Sequence, residues 1–420
     1  MKRILKSLIP ASLLGMYHHA LALLGAVIYR FPSRSLVVVA VTGTKGKSSV
    51  VELIRSVFVA AGYKTASAST IRFTIGEKSE RNLFKMTMPG RFFLERFLRK
   101  AVDAGCTHAV VEMTSEGARQ FRHTGITLNA LVFTNLSPEH IESHGSFAAY
   151  AAAKLSLAKH LQSSPKRPRI IVANADDAYG ARFLDINAEI KAPFSLAQGE
   201  PYNTDDENVR FVWKRGELFT VPLPGLFNLK NILAALTLGE AFGIPVPIMK
   251  RALEHQAPIA GRAERVAQGQ PFLAVVDYAH TPDSLKALYE TYKERRIIAV
   301  LGNTGGGRDT WKRPEMGKIA DEYCTTAFLT NEDPYDEDPK KIVDEIARGF
   351  TAHTPHIILD RRAAIREALR EAKSGDAVLI TGKGTDPYIM GPRGTKEVWS
   401  DRKVVEEELA KLGWGPAALK

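Results

Sequence analysis

Residues 36–41 form one apolar, mostly β-branched run that stops at a turn of glycine, threonine and lysine. Beyond the turn, Val50, Val51, Leu53, Ile54, Val57 and Phe58 place apolar side chains at helical spacing. The predicted order is strand, tight loop, helix. The alternation continues: 63–70 reads as a strand, 90–104 as an amphipathic helix, and 108–113 and 130–133 as buried strands. Strands alternating with helices imply a mostly parallel sheet covered on both faces, with functional side chains at the carboxyl ends of the strands.

A helix over 146–161 leads to a strand at 170–173 and a polar stretch ending near Asn208. A hairpin-like pair at 209–213 and 218–221 and a helix over 228–242 follow. Residues 245–261, rich in proline, read as a linker. A second α/β unit comes next, with strands at 273–276, 297–301, 327–330, 357–359 and 377–380. At the other end of the chain, 8–31 is almost uncharged, interrupted by Pro10 and containing His18 and His19. Residues 11–29 are about long enough to cross a bilayer, but their glycines, histidines and weak apolarity favour a docked helix, with an interfacial membrane anchor as the alternative.

A chain of 420 residues implies two or three domains with ample apolar burial. The balance of 57 Lys and Arg against 46 Asp and Glu, a net +11, favours anionic partners such as nucleotides or sugar phosphates. No concentrated basic block is interleaved with aromatics, so nucleic acid is not the expected partner. Cys106 and Cys324 fit no metal or redox spacing, which points to reducing cytoplasm and two buried thiols.

The loop Gly43-Thr44-Lys45-Gly46-Lys47-Ser48-Ser49 is phosphate-binding architecture. Glycines let backbone N–H groups approach an anion, the helix N-terminus adds partial positive charge, Lys47 reaches the β- and γ-phosphates, and Ser48 offers a hydroxyl to Mg²⁺. The strict P-loop pattern would put glycine where Val41 stands. Glu112 closes one predicted strand and His140 follows the next, so both are candidates to hold Mg²⁺ against the nucleotide phosphates.

The segments TGTKGKSS (42–49), VEMTSEGARQFR (111–122), VFTNLSPEHIESHGSFAAYAAAK (132–154), NADD (174–177), GLFNLKNILAA (225–235), AGRAERV (260–266), VVDYAHTPDSL (275–285), GGGRDTWKRPEMG (305–317), TNEDPYDEDP (330–339), DRRAAI (360–365) and GKG (382–384) occur in one order over 36–390. With them the chain resembles the Mur ligase family, above all the enzymes that add the third residue of the peptidoglycan stem peptide. The resemblance implies an α/β fold: an N-terminal apolar helical segment (1–35), a central P-loop ATP-binding domain (36–258) and a C-terminal Rossmann-like domain (259–420). It also implies an ADP-forming, ATP-dependent acid–amino-acid ligase of peptidoglycan precursor synthesis. An acceptor carboxylate takes the γ-phosphoryl group, and the incoming amine displaces phosphate from the acyl phosphate.

Two Mg²⁺ are implied, held by Ser48, Glu112, His140 and a carbamylated Lys154. Asn228, Asn231, Arg262, Asp277 and His280 are implied as nucleotide contacts, Arg262 through phosphate when the domains close. Thr87, Ser115, Gln120 and Arg122 match acceptor positions, with Glu116 in place of a histidine, and Arg308 matches a contact to the amino acid's α-carboxylate. Enzymes that add diaminopimelate carry D-N-P-R, whereas here the run is Glu332-Asp333-Pro334-Tyr335. Loss of that arginine removes a bidentate carboxylate clamp, and Asp333 with Asp386 suits a cationic side chain, so lysine or ornithine is expected.

Only about 35 residues precede the P-loop strand, too few for the family's UDP-binding domain. The acceptor is therefore expected to lack UDP, to be lipid-linked or to be held by a partner, with peripheral contact at the inner face of the membrane. A folylpolyglutamate-synthase-like ligase and a non-catalytic ATP-binding scaffold are the alternative readings.

Overall fold

The computed structural model describes residues 11–415 except 91 and 215, and for 11–14 the backbone alone. The chain divides into two compact units, one of residues up to 201 with 211–219 and 229–256, the other of 202–210, 220–228 and 257–420.

The first unit holds an eight-stranded sheet. Its strands are β1 (Val37–Thr42), β2 (Thr65–Ala68), β3 (Arg72–Ile75), β4 (Lys78–Arg81), β5 (His108–Glu112), β6 (Ala130–Phe133), β7 (Ile170–Asn174) and β8 (Ile190–Phe194), in the order β4-β3-β2-β5-β1-β6-β7-β8. The six from β2 to β8 in that order pair in parallel, and β3 and β4 add an antiparallel edge. β1, β5, β6 and β7 are buried nearly throughout, which is why they read as continuous apolar runs. The β3–β4 hairpin and β8 escape that reading because β4 is wholly exposed and β8 alternates.

β1 lies between β5 and β6, with Val41 opposite Glu112 and Thr42 opposite Phe133. The loop after β1 therefore emerges beside the ends of both neighbours, the place where open parallel sheets bind ligands. Val41 is a buried strand residue, which explains the departure from the strict loop pattern.

Next in the chain come β9 (Tyr202–Thr204), β10 (Val209–Trp213) and β11 (Glu217–Val221). The second unit has a six-stranded sheet of β12 (Glu264–Arg265), β13 (Leu273–Val276), β14 (Ile297–Leu301), β15 (Thr326–Leu329), β16 (His356–Ile357) and β17 (Ala377–Ile380), in the order β12-β13-β17-β14-β15-β16. All neighbours are parallel except β12 with β13. Segments 202–210 and 220–228 belong here because Asp206 and Glu207 pair with Arg265, Asp206 pairs with Arg295, and Phe227 packs on this unit's core. The proline-rich stretch read as a linker contains a helix, Val246–Glu254. Its prolines lie before and within the first turn, where no N–H partner is lost.

A buried pair anchors the β17 end. Arg361 donates to both carboxylate oxygens of Asp401 at 2.8 Å and to the Thr381 carbonyl at 2.7 Å, while Trp399 Nε1 donates to Asp401 Oδ1 at 2.8 Å. Arg361→Met leaves a buried charge uncompensated, and urea unfolding is expected to show a loss of about 3–5 kcal/mol, with Asp401→Leu in the same chain restoring most of it.

The N-terminal run forms a helix, Ala11–Ile28; the part of the run before Ala11 lies outside the described residues. Among the described residues no helix is long and apolar enough to cross a membrane. The helix packs near Glu95, whose two carboxylate oxygens are buried without hydrogen-bond partners; a Cβ on Gly125 would press on both Ala26 and Glu95. Burial raises the Glu95 carboxyl from 4.5 to about 7. A raised carboxyl pKa means full stability below pH 4.5, progressively lost as pH rises through 7. Above pH 7.5, Glu95→Gln is expected to be more stable than the parent by up to about 3 kcal/mol and level with it near pH 4.5, as read by thermal melts across pH.

Candidate functional site

The turn after β1 is built for close approach. Gly43 and Gly46 have φ of +147° and +80°, and a Cβ would strike Thr134 Oγ1 at the first and Asn231 Oδ1 at the second. The segment after β6 holds the loop from one side. The Asn135 carbonyl accepts from Thr44 N at 2.8 Å, Asn135 Oδ1 accepts from Lys45 N at 2.9 Å, and the Lys45 carbonyl accepts from Thr134 Oγ1 at 2.7 Å. Thr44 Oγ1 lies 3.0 Å from the Tyr150 hydroxyl, and Lys45 Nζ is 2.9 Å from Glu139. The helix Lys47–Ala60 then begins with Gly46 as its left-handed cap.

The strand ends bring the proposed metal and phosphate residues together. Ser48 Oγ donates to Glu112 Oε2 at 2.8 Å, Lys47 Nζ is 4.0 Å from Glu112 Oε1 and donates to the Thr44 carbonyl at 2.8 Å, and Thr70 N donates to Glu112 Oε2 at 2.9 Å. A buried carboxylate, a serine hydroxyl and a glycine cradle are the hard oxygen donors and amide dipoles that a magnesium nucleotide requires, so these residues fit that group. His140 is exposed in a left-handed conformation, its ring 6.3 Å from that of Tyr150.

Lys154 is 2% exposed. Its Nζ donates to the Gly43 carbonyl at 2.6 Å and lies 4.8 Å from the centre of the Tyr150 ring. Burial first and then the Lys47 charge hold its ammonium well below the usual lysine range. Among the described residues no group of three or more His, Cys, Asp or Glu is placed to hold a metal.

The acceptor candidates adjoin this centre. Thr87 Oγ1 is 2.6 Å from Thr70 Oγ1, which itself bonds Glu112. Ser115 Oγ lies 3.1 Å from His144, Gln120 donates to Glu116 at 2.5 Å, and Arg122 donates to Gln120 at 2.7 Å and to the Met88 carbonyl. Thr70, Thr134, Asn135, Glu139 and Tyr150 were not singled out from sequence. Thr134, Asn135 and Glu139 lie within the TNLSPEH stretch and Tyr150 four residues before Lys154, so their only signal was proximity to a motif.

In the second unit Asn228 donates to the Pro224 carbonyl at 2.8 Å, and Asp277 accepts from the backbone N–H groups of Ala263 and Ala279, both at 2.6 Å. The Arg262 guanidinium lies 4.4 Å from the centre of the Tyr278 ring, and His280 Nδ1 is 2.6 Å from the Tyr278 carbonyl. At the ends of β14, β15 and β17, Arg308 lies 4.9 Å from the centre of the Tyr335 ring. Asp333 and Asp386 do not stand open to a cation: the buried Lys383 lies 2.9 Å from the first and 3.5 Å from the second. Glu332 is also buried there, its Oε2 without a hydrogen-bond partner, and burial raises its carboxyl pKa with Asp333 adding to the effect.

Residues 41–239 match the model of the Mur ligase middle domain, and 261–384 that of the Mur ligase glutamate ligase domain. A UDP-N-acetylmuramyl-tripeptide synthetase of Roseiflexus sp. is 36% identical over 97% of this chain and 85% of its own length. The chain belongs to the Mur ligase family. A UDP-N-acetylmuramoyl-L-alanyl-D-glutamate–2,6-diaminopimelate ligase of Synechococcus elongatus is 36% identical over 92% of the chain and 79% of its own. A solved diaminopimelate ligase structure superposes with a TM-score of 0.60 at 30% identity, over 90% of this chain and 79% of that one. Folylpolyglutamate synthase of Mycobacterium tuberculosis, solved with ADP and AMPPCP, has a TM-score of 0.72 at 17% identity over 87% and 93%, a likeness of fold. As a Mur ligase the chain is an ATP-dependent, ADP-forming acid–amino-acid ligase of peptidoglycan precursor synthesis that uses ATP and Mg²⁺.

Proposed function

We propose that the chain joins a basic amino acid to the carboxylate of a muramoyl-peptide-like acceptor through an acyl phosphate. The observation that carries the reading is Ser48 bonded to Glu112 at the mouth of the glycine loop, with Lys47 beside both. Phosphoryl transfer needs charge neutralisation and in-line positioning rather than covalent help from the protein. Lys47 and the loop N–H groups take up charge on the transferred phosphoryl. The acceptor carboxylate oxygen attacks the γ-phosphorus and ADP leaves; the amine nitrogen then attacks the acyl carbon, loses a proton, and phosphate departs with the former carboxylate oxygen.

Two Mg²⁺ would be held by Ser48, Glu112, His140 and Lys154, and supply charge neutralisation when bound. For that role Lys154 would be a carbamate: the neutral amine that its burial favours adds to CO₂ and releases one proton, exchanging a repelling ammonium for anionic oxygens. Thr87, Ser115, Gln120 and Arg122 would contact the acceptor. Peripheral contact with the membrane through the N-terminal segment belongs to the same proposal.

For the amino acid, Tyr335 stands where a carboxylate-clamping arginine would be. Without a bidentate clamp for a distal carboxylate, lysine or ornithine is favoured over diaminopimelate. A matrix of amino acids against UDP-muramoyl-dipeptide and folate acceptors, read by inorganic phosphate, is expected to respond to the muramoyl acceptor with lysine or ornithine at least about tenfold above diaminopimelate, a margin of about 1.4 kcal/mol. Tyr335→Arg is expected to narrow that margin. Turnover with folate alone would put the chain with the folylpolyglutamate synthases instead.

A further inference from the structure

The N-terminal helix is folded inside out by size. Gly25, Ala22, Ala26 and His18 are buried, and a Cβ on Gly125 would meet that of Ala26 at 2.5 Å, so the protein-facing side consists mainly of small residues. The opposite arc carries Met16, Tyr17, Leu23, Leu24, Val27 and Ile28, from 40% to 68% exposed. On a helical wheel these six fall on one continuous face, which His19 flanks rather than interrupts. A surface helix normally turns its large apolar side chains to the core, so an outward stripe of this length marks an interaction surface.

Charge identifies its occupant. The first acidic residue of the chain is Glu52, while Lys2, Arg3 and Lys6 precede the helix in sequence and the exposed Arg30 and Arg34 follow it. An apolar face bracketed by cations and lacking any carboxylate is complementary to a bilayer of anionic lipid, where acyl chains take the apolar stripe and head groups the arginines. Because the opposite face rests on the protein, the helix would lie in the plane of the interface rather than across it.

We infer that this outward face docks the ligase on an anionic lipid surface. The inference rests on the membrane contact proposed above and adds its geometry. The His19 ring lies 5.4 Å from that of Phe121, which stands between the acceptor candidates Gln120 and Arg122. Docking therefore brings the acceptor side of the first unit to the lipid head groups, which suits an acceptor that itself carries a lipid anchor.

The test uses the full chain and co-sedimentation with vesicles. Binding is expected to phosphatidylglycerol–phosphatidylethanolamine vesicles and to weaken with salt, with at least tenfold less binding to phosphatidylcholine. Leu24→Glu with Val27→Glu is expected to cut the partition coefficient at least tenfold while leaving ATP turnover with a dissolved acceptor unchanged. Arg30→Glu with Arg34→Glu, which leaves the apolar stripe intact, is expected to reduce binding to anionic vesicles alone. Undiminished binding of the Leu24/Val27 variant would overturn the assignment of this face while leaving membrane contact standing. Absence of binding by the parent chain would overturn both. A parent dimer that the Leu24/Val27 variant splits, without vesicle binding, would give the face to a second copy instead.

Discussion

Lys154→Ala is expected to lower kcat by about 10²–10³-fold and to regain part of that rate with formate or acetate, whereas Lys154→Arg stays inactive under the same conditions. The argument starts from burial. A lysine 2% exposed, bonded to the Gly43 carbonyl and repelled by Lys47, holds its proton weakly, and the free amine is the form that takes up CO₂. A small acid entering the space vacated by the side chain would return anionic oxygens beside Ser48 and Glu112. Rescue separates this role from a structural one, since a side chain needed only to support the loop would not be replaced by a diffusing carboxylate. Carbon-13 bicarbonate should also give the parent enzyme, and not the alanine variant, a carbamate resonance. Full activity of Lys154→Ala without added acid would remove the carbamate.

Lys47→Ala is the second large effect, with an expected loss of about 10²–10³-fold in kcat at unchanged thermal stability. The side chain begins the Lys47–Ala60 helix, is partly exposed and donates to the Thr44 carbonyl; when it is removed, Glu112 beside it keeps its bonds from Ser48 and Thr70. Its proposed role is to deliver charge to the transferred phosphoryl group. Lys47→Arg is not expected to recover the loss, because the bulkier fork cannot take the 2.8 Å position under the loop. A loss below tenfold in Lys47→Ala, measured as ADP release with acceptor and amino acid both saturating, would contradict the role.

Much of the fold was legible because its central strands are buried on both faces. The run 36–41 and the strand ending at Glu112 announce themselves by composition, and the turn between strand and helix carries glycines that its left-handed angles require. What escaped is what depends on partners far along the chain. Thr70 reaches Glu112 across 42 positions, and Asn135 holds Lys45 across 90, pairings with no local periodicity. Lys383 is the instructive case: in sequence the acidic pair Asp333 and Asp386 suits a cationic substrate, and the fold supplies a cation of its own from the G-K-G turn. The Val246–Glu254 helix was hidden by prolines that break a helix interior but suit its first turn. The N-terminal helix was legible as apolar, yet hydropathy does not distinguish a glycine-and-alanine face from one of leucine and valine, so which side met the protein required the structure.

The most direct test of an acyl-phosphate ligase is the fate of one oxygen atom. With the acceptor carboxylate labelled in oxygen-18 and ATP, Mg²⁺ and lysine or ornithine supplied, mass spectrometry of the products should find ADP, the amide, and inorganic phosphate carrying one label per turnover. Unlabelled phosphate, or AMP in place of ADP, would contradict the account.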